Sequence, residues 1–161
     1  MADYSVRVSK DYLVFSAAHF ITYCGECERL HGHNYRVTAT LDGSLGEDQY
    51  VYDFVALKAL LKRIIGELDH RTLLPARSPR ISVAVEGEVV EVRTEGRRYV
   101  FPLSDCVLLP IENTTAEQLA AWIASQAIGE LHRSGARLLT AITIEVEESF
   151  GQSATYRQSL S

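Results

Sequence analysis

The chain has 161 residues, 47% of them hydrophobic and 23% charged, with a net charge of −5. That length suits one domain with a core of its own, and the acidic balance argues against a dedicated nucleic-acid or membrane-surface binder. No apolar run approaches the ~18 residues of a membrane span, the Met-Ala-Asp-Tyr-Ser start has no signal pattern, and three cysteines do not suggest a disulfide framework, so the expectation is a cytoplasmic protein with reduced thiols.

Residues 4–20 alternate as a strand, with Leu13, Phe15, Ala17 and His19 on one face. After the loop Tyr23-Cys24-Gly25-Glu26-Cys27, a second strand from about Leu30 to Leu41 puts His31, His33, Tyr35, Val37 and Ala39 on one face, and Asp42-Gly43 signals a turn. Asp53 can cap a helix to about Leu68 with Phe54, Leu57, Leu61, Ile64 and Leu68 as its stripe. Ile81–Val85, Val89–Arg93 and Arg98–Phe101 read as short strands separated by Glu86-Gly87 and Glu95-Gly96, an inserted β-meander at about 75–110. Thr114-Thr115-Ala116-Glu117 has capping-box spacing for a helix to about His132 with Leu119, Trp122, Ile123 and Leu131 inward. Leu138–Glu148 and Ser153–Leu160 form a last strand pair. The expected fold is one α+β domain over 1–161, an antiparallel sheet with two helices on one face.

His31 and His33 lie two apart on a strand, so both imidazoles reach one point, and His19 ends the neighbouring strand. Three imidazoles suit zinc and leave the fourth position open, as in catalytic sites. Spacing alone weighs that evenly against ordinary polar residues at strand ends, and His19 by itself reads as a core histidine. Cys24-Gly25-Glu26-Cys27 lacks the helix start that a redox pair needs, and the gap from Cys27 to His31 is too short for a zinc finger. Cys24 reads as a loop thiol and Cys106 as core. Asp69-His70 can act as the orienting pair of a triad, with Cys27 as a thiolate base. A helix C-terminal pair interacting with the dipole is the alternative, and spacing favours it. Glu148 shares a face with Ile142, Ile144 and Val146, so it needs a strong partner: an Arg, or a ring offering adjacent N–H and NH2 groups.

Phe15-Ser16-Ala17-Ala18-His19, Cys27-Glu28-Arg29-Leu30-His31-Gly32-His33-Asn34-Tyr35, Val51-Tyr52-Asp53-Phe54, Leu68-Asp69-His70-Arg71, Asn113-Thr114-Thr115-Ala116-Glu117 and Glu148…Tyr156 together resemble, in that order, the 6-pyruvoyltetrahydropterin and 6-carboxytetrahydropterin synthases. The resemblance covers most of the chain except about 75–110. It implies Zn2+ on His19, His31 and His33; catalytic roles for Cys27, Asp69 and His70; and a pterin site with Glu148 as ring anchor and Thr115 beside it. It also implies the tunnelling fold, a homohexamer of two trimers with active sites between subunits, and 7,8-dihydroneopterin triphosphate as substrate.

Three residues separate Cys27 from His31, as in bacterial carboxytetrahydropterin synthases that feed queuosine and other deazapurines; the animal pyruvoyl-forming enzymes have five. Glu28 stands where members making 6-hydroxymethyl-7,8-dihydropterin for folate carry a Glu, although a solvated loop carboxylate is the simpler reading. The first expectation is therefore 6-carboxy-5,6,7,8-tetrahydropterin formation with loss of triphosphate and acetaldehyde. The second is the hydroxymethyl product, alone or in addition. A non-catalytic pterin- or metal-binding protein is a third, against which Cys27, Asp69 and His70 weigh, since a pure binder has no use for a thiol base.

Overall fold

A computed structural model describes residues 4–160. Strand β1 (Tyr4–His19) pairs antiparallel with β4 (His31–Gly43), joined by a small hairpin of β2 (Thr22–Tyr23) and β3 (Glu26–Cys27). Helix α1 (Phe54–Gly66) leads to β5 (Arg71–Pro75), followed by the meander β6 (Ser82–Glu86), β7 (Val89–Thr94) and β8 (Arg97–Pro102) and then β9 (Cys106–Leu109). Helix α2 (Ala116–Arg133) precedes the hairpin β10 (Leu139–Ser149) and β11 (Gln152–Ser159). The main sheet runs β11-β10-β4-β1-β5-β9. Its first four strands are antiparallel, as expected, while β5 and β9 add a parallel edge that the sequence reading had not marked.

Both helices pack on one face of this sheet, α1 against β1 and α2 against β10 and β11. Leu13, Phe15, Ala17, Tyr35, Val37, Ile142, Ile144 and Val146 meet Leu57, Leu61, Leu119 and Ile123 in the larger core. On the other face, Leu74 and Cys106 join Phe20, Cys27, Ile81, Val90 and Val92 in a second cluster under the meander. Strand β1 carries an irregularity between Ser9 and Val14. It switches the inward set from even to odd residues, so that Val8 and Leu13 are both buried.

Three local expectations shift. Asp53 caps α1 by accepting the Val55 N–H, but Phe54 is 50% exposed and Leu60 and Ile65 complete the buried stripe instead. The cap of α2 is Thr115, which accepts from Gln118 N, because Thr114 is buried and donates its hydroxyl to Phe20 O at 2.6 Å. Asp42-Gly43 does not turn: β4 continues through Gly43, where a Cβ would lie 2.5 Å from Leu138 O, so only glycine admits the incoming β10.

Gly32 has a similar constraint. A Cβ there would meet Ala17 O at 2.7 Å and Ala18 Cα at 3.4 Å, backbone atoms that cannot swing aside. Gly32→Ala should therefore lower stability by about 1–3 kcal/mol, the usual cost of overpacking, or several degrees of Tm. Gly66→Ala, where nothing lies within 4 Å, is the control, and an unchanged melt for Gly32→Ala contradicts the packing argument.

Candidate metal and pterin site

His19 sits directly opposite His31 on the paired strands, and His33 lies opposite Ala17. The three imidazoles thus converge on the helix side of the sheet at one end of the core, with ligand atoms all within 4.8 Å of one another. The second-layer contacts set their tautomers. His19 Nδ1 is 3.0 Å from Thr114 O and His31 Nδ1 is 2.7 Å from Arg29 O. A carbonyl only accepts, so each Nδ1 carries the proton and each Nε2 presents a lone pair, the arrangement of metal-ligating histidines. Those two Nε2 atoms face each other at 3.1 Å, a contact that needs a cation between two acceptors. Burial, opposed by the Thr114 carbonyl and reinforced by His31 and His33, lowers the His19 pKa to about 4, so this ring stays neutral and competent to ligate. The donor set fits a borderline-soft divalent ion with one coordination position left over.

Tyr35 forms the floor, stacked on Phe15 with ring centroids 4.7 Å apart and with its hydroxyl 3.3 Å from His19 Nδ1. Burial and the nearby Glu148 raise the pKa of this phenol.

Glu148 reaches the same point. Its Oε1 lies 3.5 Å from His33 Nε2 and 3.7 Å from His19 Nε2, with the side chain 20% exposed. Among the described residues its ionisable partners are these imidazoles, and no arginine pairs with it. It borders a cavity of about 180 Å³ with Ala116, Glu117, Gln152, Ser153 and Ala154, at the start of α2. Thr115 adjoins that cavity in sequence while its hydroxyl is used as the helix cap. Glu145 and Glu147, of opposite parity, bond at the surface to Ser153 and to the Gly151 N–H. Glu28 also approaches, with Oε2 3.8 Å from His31 Nε2.

Asp69 and His70 lie beyond the end of α1, at the entry to β5. Asp69 accepts the Ser16 N–H at 2.8 Å and pairs with His70 Nδ1 at 2.9 Å. The Ser16 bond, with help from His70, holds the Asp69 carboxyl below its ordinary pKa. His70 takes φ +57°, fixed by its N–H donating to Ser16 O at 2.7 Å. The alternative of a pair seated on the helix dipole gives way to a pair fastened to β1. The His70 ring is 82% exposed and opens on a cavity of about 490 Å³ whose lining includes Ser16, Ala18, Gly32 and Asn34 together with His33 and Ala17 of the histidine-bearing face.

Cys27 is buried beneath the meander, and its thiol donates to Glu28 O at 3.4 Å. No described contact joins it to Asp69 or His70. Cys24 is exposed at a two-residue turn, φ +48° with Gly25 at +86°, the geometry of a tight hairpin loop, and Cys106 is buried. The residue missed by sequence reasoning is Thr114. Its contribution to the histidine cluster runs through a backbone carbonyl, which no side-chain pattern signals.

Among the described residues, no helix is long and apolar enough to cross a membrane. Residues 7–159 match the 6-pyruvoyl tetrahydropterin synthase family. A Methanocaldococcus jannaschii protein, provisionally named 6-carboxy-5,6,7,8-tetrahydropterin synthase, is 34% identical over 92% of this chain and 91% of its own. The structure of Plasmodium vivax 6-pyruvoyl tetrahydropterin synthase superposes with a TM-score of 0.92 at 32% identity, covering 99% of this chain and all of the other. Two further structures of the P. vivax protein, with the same TM-score and 31% identity over 99% of this chain and all of theirs, carry Ala or Cys in place of a glutamate described as a catalytic residue.

Proposed function

Because the chain belongs to the 6-pyruvoyl tetrahydropterin synthase family, we propose that it is a zinc-dependent lyase converting 7,8-dihydroneopterin triphosphate to 6-carboxy-5,6,7,8-tetrahydropterin. Triphosphate and acetaldehyde leave, and the product serves queuosine or related deazapurine synthesis in the cytoplasm. The observation that carries this reading is the convergence of three imidazoles, their ligand atoms within 4.8 Å of one another, with the Glu148 carboxylate 3.5–3.7 Å from two of them, which would give a metal and a ring anchor one shared site.

His19, His31 and His33 would hold the zinc. When bound there, zinc supplies Lewis acidity toward the hydroxyls of the substrate side chain. Glu148 accepts the adjacent N–H and NH2 of the pterin ring through its two oxygens and so fixes which carbon faces the metal. Cys27 takes the proton from that carbon as a thiolate base. Asp69 orients His70 through the 2.9 Å contact, leaving the far ring nitrogen to exchange a proton with the thiol. Since His70 is exposed on its own chain, the pair is read as serving Cys27 across a subunit boundary, in a homohexamer.

One observation favours a second reading. Glu28 stands 3.8 Å from His31, close enough to act on a zinc-bound substrate, and the P. vivax relatives have a catalytic glutamate. The product would then be 6-hydroxymethyl-7,8-dihydropterin, formed instead of or alongside the carboxy product. Incubating the zinc-loaded protein with 7,8-dihydroneopterin triphosphate and identifying the pterin by mass separates the two, and no turnover would exclude both.

Glu148→Gln should weaken pterin binding. The amide keeps the shape but points a donor at a donor, leaving a buried polar group unpaired at ~1–3 kcal/mol, about a tenfold to hundredfold rise in Kd. Titration by pterin fluorescence measures it. Glu147→Gln should bind normally, and normal binding by Glu148→Gln removes the anchor assignment.

A further inference from the structure

We propose that Glu95 and Arg97, from the inserted meander, form a positioning clamp for Cys27, an inference that rests on the thiol-base reading above. Cys27 lies in a hairpin whose strands are two residues each, far short of what stands alone in water. In that hairpin Thr22 pairs with Cys27 and Tyr23 with Glu26 around the Cys24-Gly25 turn. In antiparallel pairing hydrogen-bonded and non-bonded positions alternate. Tyr23–Glu26 closes the turn, so the Cys27 N–H and C=O point outward and need partners elsewhere.

The insert provides both. Glu95 Oε1 accepts the Cys27 N–H at 2.6 Å, Arg97 Nη2 donates to Cys27 O at 2.6 Å, and the same Nη2 lies 3.1 Å from Glu95 Oε2. The two peptide groups that flank the cysteine Cα are thus held by one carboxylate–guanidinium pair, with charge-assisted bonds at each contact. Glu95 is aimed by the tight turn between β7 and β8, where it takes φ +48° and Gly96 +75°. Arg80, at the entry to β6, donates to Gly25 O and fastens the hairpin tip to the same insert. With both peptides fixed, the thiol has one direction in which to meet a proton. Catalytic groups tolerate little displacement, since a shift of about 1 Å can cost ~10²-fold in rate.

Steady-state kinetics on zinc-loaded Glu95→Ala and Arg97→Ala, with 7,8-dihydroneopterin triphosphate, test the clamp. Each should lower kcat by about tenfold to a hundredfold while KM and zinc per chain stay unchanged, because the ring anchor and the histidines lie outside the insert. Arg97→Lys, which keeps a charged donor, should recover part of the rate. Arg93→Ala is the control: it pairs with Glu91 on the opposite face of the meander and should leave kcat unaltered. Added to Cys27→Ala, Glu95→Ala should cost nothing further. If both alanine variants turn over normally while Cys27→Ala is inactive, the clamp is wrong and the thiol reading stands. If Arg93→Ala loses as much kcat as they do, the effect is insert stability and the clamp is overturned. If Cys27→Ala itself turns over normally, the thiol-base reading falls, and this inference with it.

Discussion

His31→Ala is expected to lose its bound zinc on dialysis and to lose turnover with it. Removing one of three imidazoles leaves His19 and His33, too few for a stable tetrahedral site. Loss of an outer-layer partner alone typically costs ~10–100-fold in metal affinity, and loss of a ligand should exceed that. His31 is the cleaner target: it is partly exposed at a strand end, whereas truncating His19, buried completely, also opens a hole in the core. His33→Ala should behave as His31→Ala does. Zinc per chain, measured beside a circular dichroism spectrum that reports the fold, checks the result. Full occupancy and full rate in either variant would remove the metal assignment.

Cys27→Ala should leave zinc and fold intact and lower kcat by about 10²–10⁴-fold, the span attributed to a positioned proton-transfer group. Truncation at this position removes one sulfur from the edge of the smaller apolar cluster and leaves the Glu95 and Arg97 contacts in place, because those are to the main chain. Cys24→Ala, at an exposed turn, should do far less. An inactive Cys24 variant beside an active Cys27 variant would reverse the roles. The product remaining in Cys27→Ala is informative as well. Residual 6-hydroxymethyl-7,8-dihydropterin would leave Glu28 as the acting group, since its carboxylate stays beside His31.

Most of the framework is legible in the sequence because each element buries only one face. Leu13, Phe15, Ala17 and His19 alternate with exposed or half-buried neighbours, and the three strands of the meander fall within a residue or so of their turn signals. The edge strands β5 and β9 escape for the opposite reason. In β5, Leu73 packs under the helices and Leu74 under the meander, so both faces are apolar and no alternation marks the strand. The His-Gly-His spacing announces that two ligands converge, whereas the third depends on a register set by pairing across β1 and β4. The contacts that aim those ligands are carbonyls of Thr114 and Arg29, and backbone groups have no residue code. The Cys27 clamp joins residues 68 and 70 positions apart, a separation that only the folded chain closes.

The parallel pairing of β5 with β9 has an evolutionary corollary. The insert leaves the sheet at Pro75, the end of β5, and re-enters at Cys106, which is the register partner of Thr72 near the start of β5, so its two anchor points are held about three residues of strand, roughly 10 Å, and one strand spacing apart. A connection whose two anchors are fixed by the sheet acts as a socket. Its length can grow or shrink at a closure cost that rises only logarithmically, and the strands of the main sheet need not move. Lineages can therefore exchange the whole module in one step. The constraint on such exchange is local: whatever replaces the meander must still present an acceptor and a donor to the two peptide groups of Cys27, or that loop must be rebuilt at the same time.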